Sequence, residues 1–216
     1  MKRILIVLAL LLGTAGSLMA QKPKVDARAV QVLTEGGAQF KDLNKNGKLD
    51  AYEDWRQSVE SRISDLVSQM TLEEKAGMLL INTLNAEAGG RLPDQAPHYI
   101  EIEKMTRFVF RNTVTGKPQP VTGRSGLRSG AQVTPYEAAQ FMNAIQEVAE
   151  ATRLGIPALF KSNARNHFTH NTRAGINVEA GSFSAWPKEA GLAATRDMDL
   201  IASFAQTMAK EWSAIG

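Results

Sequence analysis

The sequence predicts an α/β fold, and three stretches carry that prediction. Thr134-Pro135-Tyr136-Glu137 opens a helix, and Ile156-Pro157-Ala158-Leu159-Phe160 follows as an apolar run that turns abruptly polar at Lys161. Arg107-Phe108-Val109-Phe110-Arg111 reads as a second strand. Helix, tight turn and buried strand in succession are the repeating unit of α/β architecture. With 44% hydrophobic and 22% charged residues, the 216-residue chain has a globular composition and the length for one ordinary core.

Lys2 and Arg3 precede an apolar run from Ile4 to Leu12, and small residues follow up to Ala20. This pattern is that of a secretory signal peptide over residues 1–20. A spanning helix needs about 20 apolar residues, so the expectation is export, periplasmic or extracellular, with no transmembrane segment once the signal is removed. With no Cys there is no lipid anchor site and no disulfide. Removal of the signal takes two of the 25 basic side chains and none of the 22 acidic ones, lowering the net charge from +3 to +1. A balance that small argues against nucleic acid as a partner.

Residues 21–41 mix charge with short apolar pieces and read as an irregular leader. Next comes DLNKNGKLDAYE, residues 42–53, with oxygen donors at the offsets of an EF-hand-like loop. Asp42 is first, Asn44 third, Asn46 fifth, Lys48 seventh through its carbonyl, Asp50 ninth and Glu53 twelfth, with Gly47 at the sharp sixth position. Calcium takes six to eight oxygens at roughly 2.4 Å, and this order wraps such a set around one ion. The alternative is an Asn/Gly-rich surface turn. Gly36 and Gly37 make a poor incoming helix and the loop is single, so a Ca2+ ion here is a structural brace rather than a sensor.

Beyond the loop, Ser58 is the expected N-cap of a helix whose Ile63, Leu66, Val67 and Met70 share one face. Thr71 to Glu74 matches a capping box, and Met78 to Ile81 is either the end of that second helix or a short buried strand. The Gly/Pro-rich stretches 85–97 and 112–133 read as loops, with Lys117, Arg124 and Arg128 on a solvated loop rather than a phosphate patch. In the helix after Thr134, Ala138, Phe141, Ile145, Val148 and Ala149 form the buried stripe, and Gly155 is its expected C-terminal cap residue. A last helix starts near Asp197 and aligns Ile201, Phe204, Ala205, Met208 and Trp212.

In parallel α/β folds, ligand-binding groups lie past the carboxyl ends of the strands. Lys161, Asn163, Arg165 and His167 occupy such a strand end. They either hydrogen-bond a sugar hydroxyl or carboxylate, or satisfy loop backbone and solvent. His167 and His170 have an H-x-x-H spacing but no convincing third ligand, which argues against a transition metal. Asp197 and Asp199 read as helix-start residues, and Glu179 has no evident carboxylate partner.

Three ordered pieces carry a family resemblance: FKDLNKNGKLDAYEDWRQSVESRISDLVSQMTLEEKAGMLL, NAIQEVAEATRLGIPALFKSNARNH and FSAWPKEAGLAATRDMDLIASFAQTMAKEWSAIG. Over most of residues 39–216 the chain resembles the N-terminal portion of the catalytic domain of glycoside hydrolase family 3, the β-glucosidase and β-xylosidase group. The resemblance implies the N-terminal part of a (β/α)8 TIM-like barrel and retaining hydrolysis of O-glycosyl bonds in an oligosaccharide or β-glycoside. It also implies no organic cofactor. On this reading residues 1–20 are the signal, 21–57 the leader with its calcium-type loop, and 58–216 an incomplete barrel domain.

Asn163 stands where the family has a sugar-binding Asp, and His167 is shifted by one residue from the family's D-x-x-H-G pattern. The family's nucleophile Asp and acid/base Glu are expected beyond Gly216, which makes this stretch inactive by itself. A partial barrel is expected to leave strand edges open and an apolar helix face uncovered. The alternative function is a calcium-dependent extracellular binding module without catalysis.

Overall fold

The computed structural model describes residues 24–120, 130–162, 166 and 180–216. The expectations placed on Arg124, Arg128, Asn163, Arg165, His167, His170 and Glu179 lie outside those residues.

Within the leader, residues 24–31 carry no helix or strand, as expected, but the part that follows is a hairpin where an irregular segment was expected. Strands β1 (Val32–Glu35) and β2 (Ala38–Lys41) pair antiparallel, Glu35 opposite Ala38, across Gly36-Gly37. Both glycines have positive φ, +59° and +72°. Two left-handed residues in a row are what a two-residue hairpin with the sheet's own twist requires, and glycine adopts them without Cβ strain. As expected, no helix enters the 42–53 loop; β2 does.

Helix α1 (Val59–Gln69) begins at Ser58, whose side chain accepts from the Ser61 amide. Its apolar stripe does not face the core. Ile63 and Val67 are exposed, Leu66 is half-buried, and Met70, just past the helix end, is buried. The reason lies in its polar residues: Asp65 accepts from the Tyr52 amide at 2.9 Å and Arg62 donates to the Tyr52 carbonyl at 3.2 Å. Those bonds turn the polar side of α1 inward.

Helix α2 (Leu72–Gly77) has the expected capping box, Thr71 and Glu74 each bonding the other's amide. A Cβ on Gly77 would lie 2.4 Å from the Lys104 carbonyl oxygen, so only glycine lets these backbones approach. Met78 is the C-cap of this helix, so the stretch from Met78 begins as the helix end, and Leu79, Leu80 and Ile81 are exposed rather than a buried strand. The strand β3 starts one residue later (Asn82–Thr83).

Helix α3 (Gln95–Pro97) runs into a π-helical turn over His98–Ile102 and is followed by β4 (Arg107–Val109), the strand expected from RFVFR. Helix α4 (Pro135–Ala151) has the second capping box, Thr134 with Glu137, and buries Ala138, Phe141, Ile145 and Ala149, with Val148 half-buried. Thr152 rather than Gly155 caps it; Gly155, at φ +56°, turns the chain against Leu43 before β5 (Leu159–Lys161). An unanticipated short helix, α5 (Glu189–Thr195), precedes α6 (Met198–Ser213), capped by Asp197 as expected. Within α6 no residue is buried; Ile201, Phe204, Met208 and Trp212 are half-buried and Ala205 is exposed.

The strands β3, β4 and β5 form one parallel sheet in sequence order. Parallel neighbours need crossover connections, and α3 and α4 lie in those crossovers. Phe108, Phe110 and Leu84 on one face of the sheet pack with Phe141 and Ile145 of α4 in the main core. Phe110 stacks on Phe141 at 5.9 Å, and Phe160 meets Phe141 edge-on at 5.9 Å. The described residues therefore make a mixed α/β unit with a parallel sheet, preceded by a hairpin and a tight loop. Among the described residues some apolar surface stays open: Leu159 on β5 is 65% exposed and Val59 on α1 is 61% exposed.

Candidate functional site

The sheet brings three strand ends together on one side of the molecule. Past β3, Asn85 accepts from the Arg111 amide at 2.8 Å. Past β4, the Phe110 amide donates to the Lys161 carbonyl at 3.0 Å, and the Ser162 hydroxyl reaches the Phe110 carbonyl at 3.2 Å. Asn112 is fully buried and ties the loops: its Oδ1 accepts from the Ala86 amide, while its Nδ2 donates to the Ala86 and Ala131 carbonyls. A buried amide with these bonds made is a rigid backbone staple.

Lys161 ends β5 with its side chain exposed, on the same face as Val109 by strand pairing. Of the expected sugar-contacting residues it is the one described; Asn163, Arg165 and His167 follow from this strand end outside the described residues. Asn166, between them, is buried. Its Nδ2 donates to Glu211, its Oδ1 accepts from the Trp212 indole at 3.1 Å, and Glu211 also accepts from the Ser184 amide at 2.9 Å and its hydroxyl at 3.0 Å. Helix α6 thereby fixes the chain just past β5 and, through Ser184, the approach to α5. Sequence reasoning missed Asn85, Arg111, Asn112 and this Glu211 cluster. A signal for two of them existed: Arg111 and Asn112 follow RFVF as Lys161 follows the next apolar run.

The 42–53 loop is a second polar centre. Asp42 and Glu53 are buried. Asp42 accepts from the Asn46 and Gly47 amides at 3.0 and 2.9 Å; Glu53 accepts from Leu43 at 2.6 Å, Asn44 at 3.2 Å and Asp50 at 3.0 Å. The side-chain Nδ2 groups of Asn44 and Asn46 both donate to Asp50 Oδ2, at 2.6 and 2.7 Å. Burial lifts the Glu53 carboxyl above the usual carboxylate range despite those amide donors. Lys45 points away from the loop interior, its ammonium 2.5 Å from the Thr152 carbonyl and 3.2 Å from that of Ala151 at the end of α4. Among the described residues no group of three or more His, Cys, Asp or Glu is arranged to hold a metal ion, so a cation here depends on the Asn oxygens and the Lys48 carbonyl as well. An all-oxygen donor set of that kind suits a hard cation.

No protein-family model matches the chain. A protein named periplasmic beta-glucosidase/beta-xylosidase from Dickeya chrysanthemi is 35% identical over 215 residues, covering all of this chain and 31% of that protein. The chain is a relative of the family 3 glycoside hydrolases. Fungal relatives agree: beta-glucosidase C of Emericella nidulans is 34% identical over 81% of the chain, and a probable beta-glucosidase C of Aspergillus oryzae is 32% identical over 80%. This family 3 relative spans about a third of the bacterial protein's length and a quarter of the fungal ones. No helix among its described residues is long and apolar enough to cross a membrane.

Proposed function

We propose that this chain is the N-terminal portion of an exported glycosidase of the β-glucosidase/β-xylosidase type, contributing the first strands of a (β/α)8 barrel and part of its sugar site. The observation that carries this reading is the 35% identity over the whole chain to a periplasmic β-glucosidase/β-xylosidase. The parallel strands β3, β4 and β5, with polar groups gathered at their carboxyl ends, support it. Lys161, Asn163, Arg165 and His167 contact the non-reducing-end sugar, and the carboxylates that cleave the bond come from outside these residues. The 216-residue chain is accordingly inactive alone. Hydrolysis of aryl β-glucosides and β-xylosides by the product of the complete reading frame tests this. Turnover by that product and none by residues 1–216 is expected; no turnover by either sinks the enzyme reading.

The 42–53 loop is a structural Ca2+ clip, held by Asp42, Asn44, Asn46, the Lys48 carbonyl, Asp50 and Glu53. Its support is the buried pair Asp42 and Glu53 within an all-oxygen set. Bound calcium would offset the charge crowded there and brace β2 and α1 against the end of α4. If the reading frame gives no glycosidase, calcium-dependent binding without catalysis is the remaining function.

A further inference from the structure

A cleft of about 310 Å³ opens between the leader and α4, beside the turn that enters β5. Sites that take small molecules run from roughly 300 to 1,000 Å³. The leader lines the cleft with Asp26 and Arg28, and α4 lines it with Asn143, Gln146 and Glu150. It lies at the amino end of β5, whereas Lys161 ends the same strand.

Bonds already made hold its walls apart. Glu150 is buried, and its Oε2 accepts from the Arg28 and Ala29 amides at 2.9 and 3.1 Å. The Lys41 ammonium lies 2.9 Å from Glu150 Oε1, so one carboxylate ties both the leader and β2 to α4. Gln146 accepts from the Ala158 amide at 3.1 Å and donates to the Ala158 carbonyl at 2.7 Å. A Cβ on Gly155 would lie 2.9 Å from Leu43 Cδ2, so Leu43 packs directly on the chain there and its place in the lining is fixed. A cleft built this way needs little ordering when a ligand enters.

The groups left over define the ligand. Asp26, Arg28 and Asn143 are exposed, and among the described residues their side chains bond no other group. The lining carries two acids, Asp26 and Glu150, and two bases, Arg28 and Lys41, so its charge sums to zero. An anion would meet Asp26 and a cation Arg28, which disfavours a ligand with net charge. Asn143 presents a donor and an acceptor together. A pair of neighbouring hydroxyls uses both, while an ammonium only donates and a carboxylate only accepts. Leu43 and Pro157 add apolar surface for the C–H face of a ring.

We propose that this cleft is a binding site for a neutral saccharide of one or two rings, held by Arg28, Asp26 and Asn143. It does not depend on the glycosidase reading, which concerns the carboxyl ends of the strands.

The test is to titrate the 15N-labelled chain with glucose, xylose and cellobiose, and separately with the zwitterion glutamine. The signals to follow are the Arg28, Leu43 and Gly155 amides and the Asn143 side-chain NH2, assigned by its loss in Asn143→Trp. Saturable shifts of these signals with a saccharide are expected. Asn143→Trp fills the cleft and should abolish them. Arg28→Met keeps the backbone bond to Glu150 and should reduce affinity by about tenfold or more. If only the Lys161 and Ser162 amides shift, sugar binds at the strand ends alone; the proposal falls and the glycosidase reading stands. Shifts at the cleft with glutamine but with no saccharide overturn it as well, as does a cleft that responds to none of the four. The unmutated chain decides between these outcomes even if a variant fails to fold.

Discussion

Arg153, in the turn after α4, grips Glu74, in the first turn of α2, with a forked ion pair: Nε meets Oε1 at 3.0 Å and Nη2 meets Oε2. The same Glu74 carboxylate accepts from the Thr71 amide at 2.9 Å. One side chain thus starts α2 and ties it to a segment 79 residues away. Burial alone would lift the Glu74 carboxyl, but Arg153 and the Thr71 amide outweigh it and hold it below the usual carboxylate range. A depressed carboxyl contributes stability that is fully present above its unfolded value, about 4.3, and is lost as pH falls through the folded one. Glu74→Gln should therefore lower stability at pH 7 by about 1–2 kcal/mol, since Arg153 is half exposed. Urea unfolding of wild type and variant should converge below pH 4; an unchanged gap across pH would refute the ionic account.

The core prediction follows from the aromatic cluster. Phe141 is fully buried between Phe110 and Phe160, each ring 5.9 Å away. Phe141→Ala removes the side chain that joins α4 to two strands and should cost about 3–5 kcal/mol, a large share of a typical domain's stability. Phe141→Leu, closer in volume, should cost under about 1.5 kcal/mol. Equal losses for both variants would mean that the site collapses freely and the cluster is loosely packed.

What was legible in the sequence was mostly local. Both capping boxes, Thr71 with Glu74 and Thr134 with Glu137, join residues three apart, so the spacing alone states the bond. The inward face of α1 was not legible, because Tyr52 decides it: bonds to the Tyr52 backbone pull Asp65 and Arg62 in and leave Ile63 outside. Gly36-Gly37 did carry a hairpin signal, overlooked because the flanking strands are only four residues each. Asn166 and Glu211 lie 45 positions apart, and no spacing rule relates them. Arg111 could be read as the polar end of a strand, but that its buried Nε lacks a hydrogen-bond partner among the described residues is a fact of packing.

Calcium should stabilise the chain by mass action. Exported calcium modules bind with constants on the order of 10⁻⁴ to 10⁻³ M, so ~10 mM calcium should add about 1.4–2.7 kcal/mol, seen as a higher Tm. Magnesium at equal concentration should do less, since it demands tighter octahedral geometry. Asp42→Ala should abolish the gain, and chelator should lower the Tm of untreated protein. A calcium-independent Tm at all concentrations would leave the loop as a turn held by its own amides.

Lys45 offers a prediction separate from any metal. Its backbone is left-handed at φ +61° and its ammonium sits on the carbonyls of Ala151 and Thr152 at the C-terminal end of α4. A cation there meets the negative end of the helix dipole, so Lys45→Met should cost about 0.5–1 kcal/mol in low salt and less in high salt. Lys45→Gly loses the same charge but relieves the φ strain, and should be the less destabilised of the two. A ranking with Met above Gly would show that the backbone at this position is unstrained.

The exposed stripe of α1 makes the last prediction. Val59, Ile63 and Val67 recur at four-residue spacing and are 61%, 55% and 44% exposed, while the helix is held by polar bonds on its other side. Apolar side chains in such a row normally meet a partner surface. Ile63→Lys and Val67→Glu remove no buried contact, so each should change stability by less than about 0.5 kcal/mol in the 216-residue chain. Together they should reduce binding of an apolar dye and self-association at high concentration, both read by fluorescence and light scattering. In the product of the complete reading frame the outcome separates two situations. If further chain covers α1, burying the two charges there should be strongly destabilising; if the face stays open, the same double variant should remain neutral.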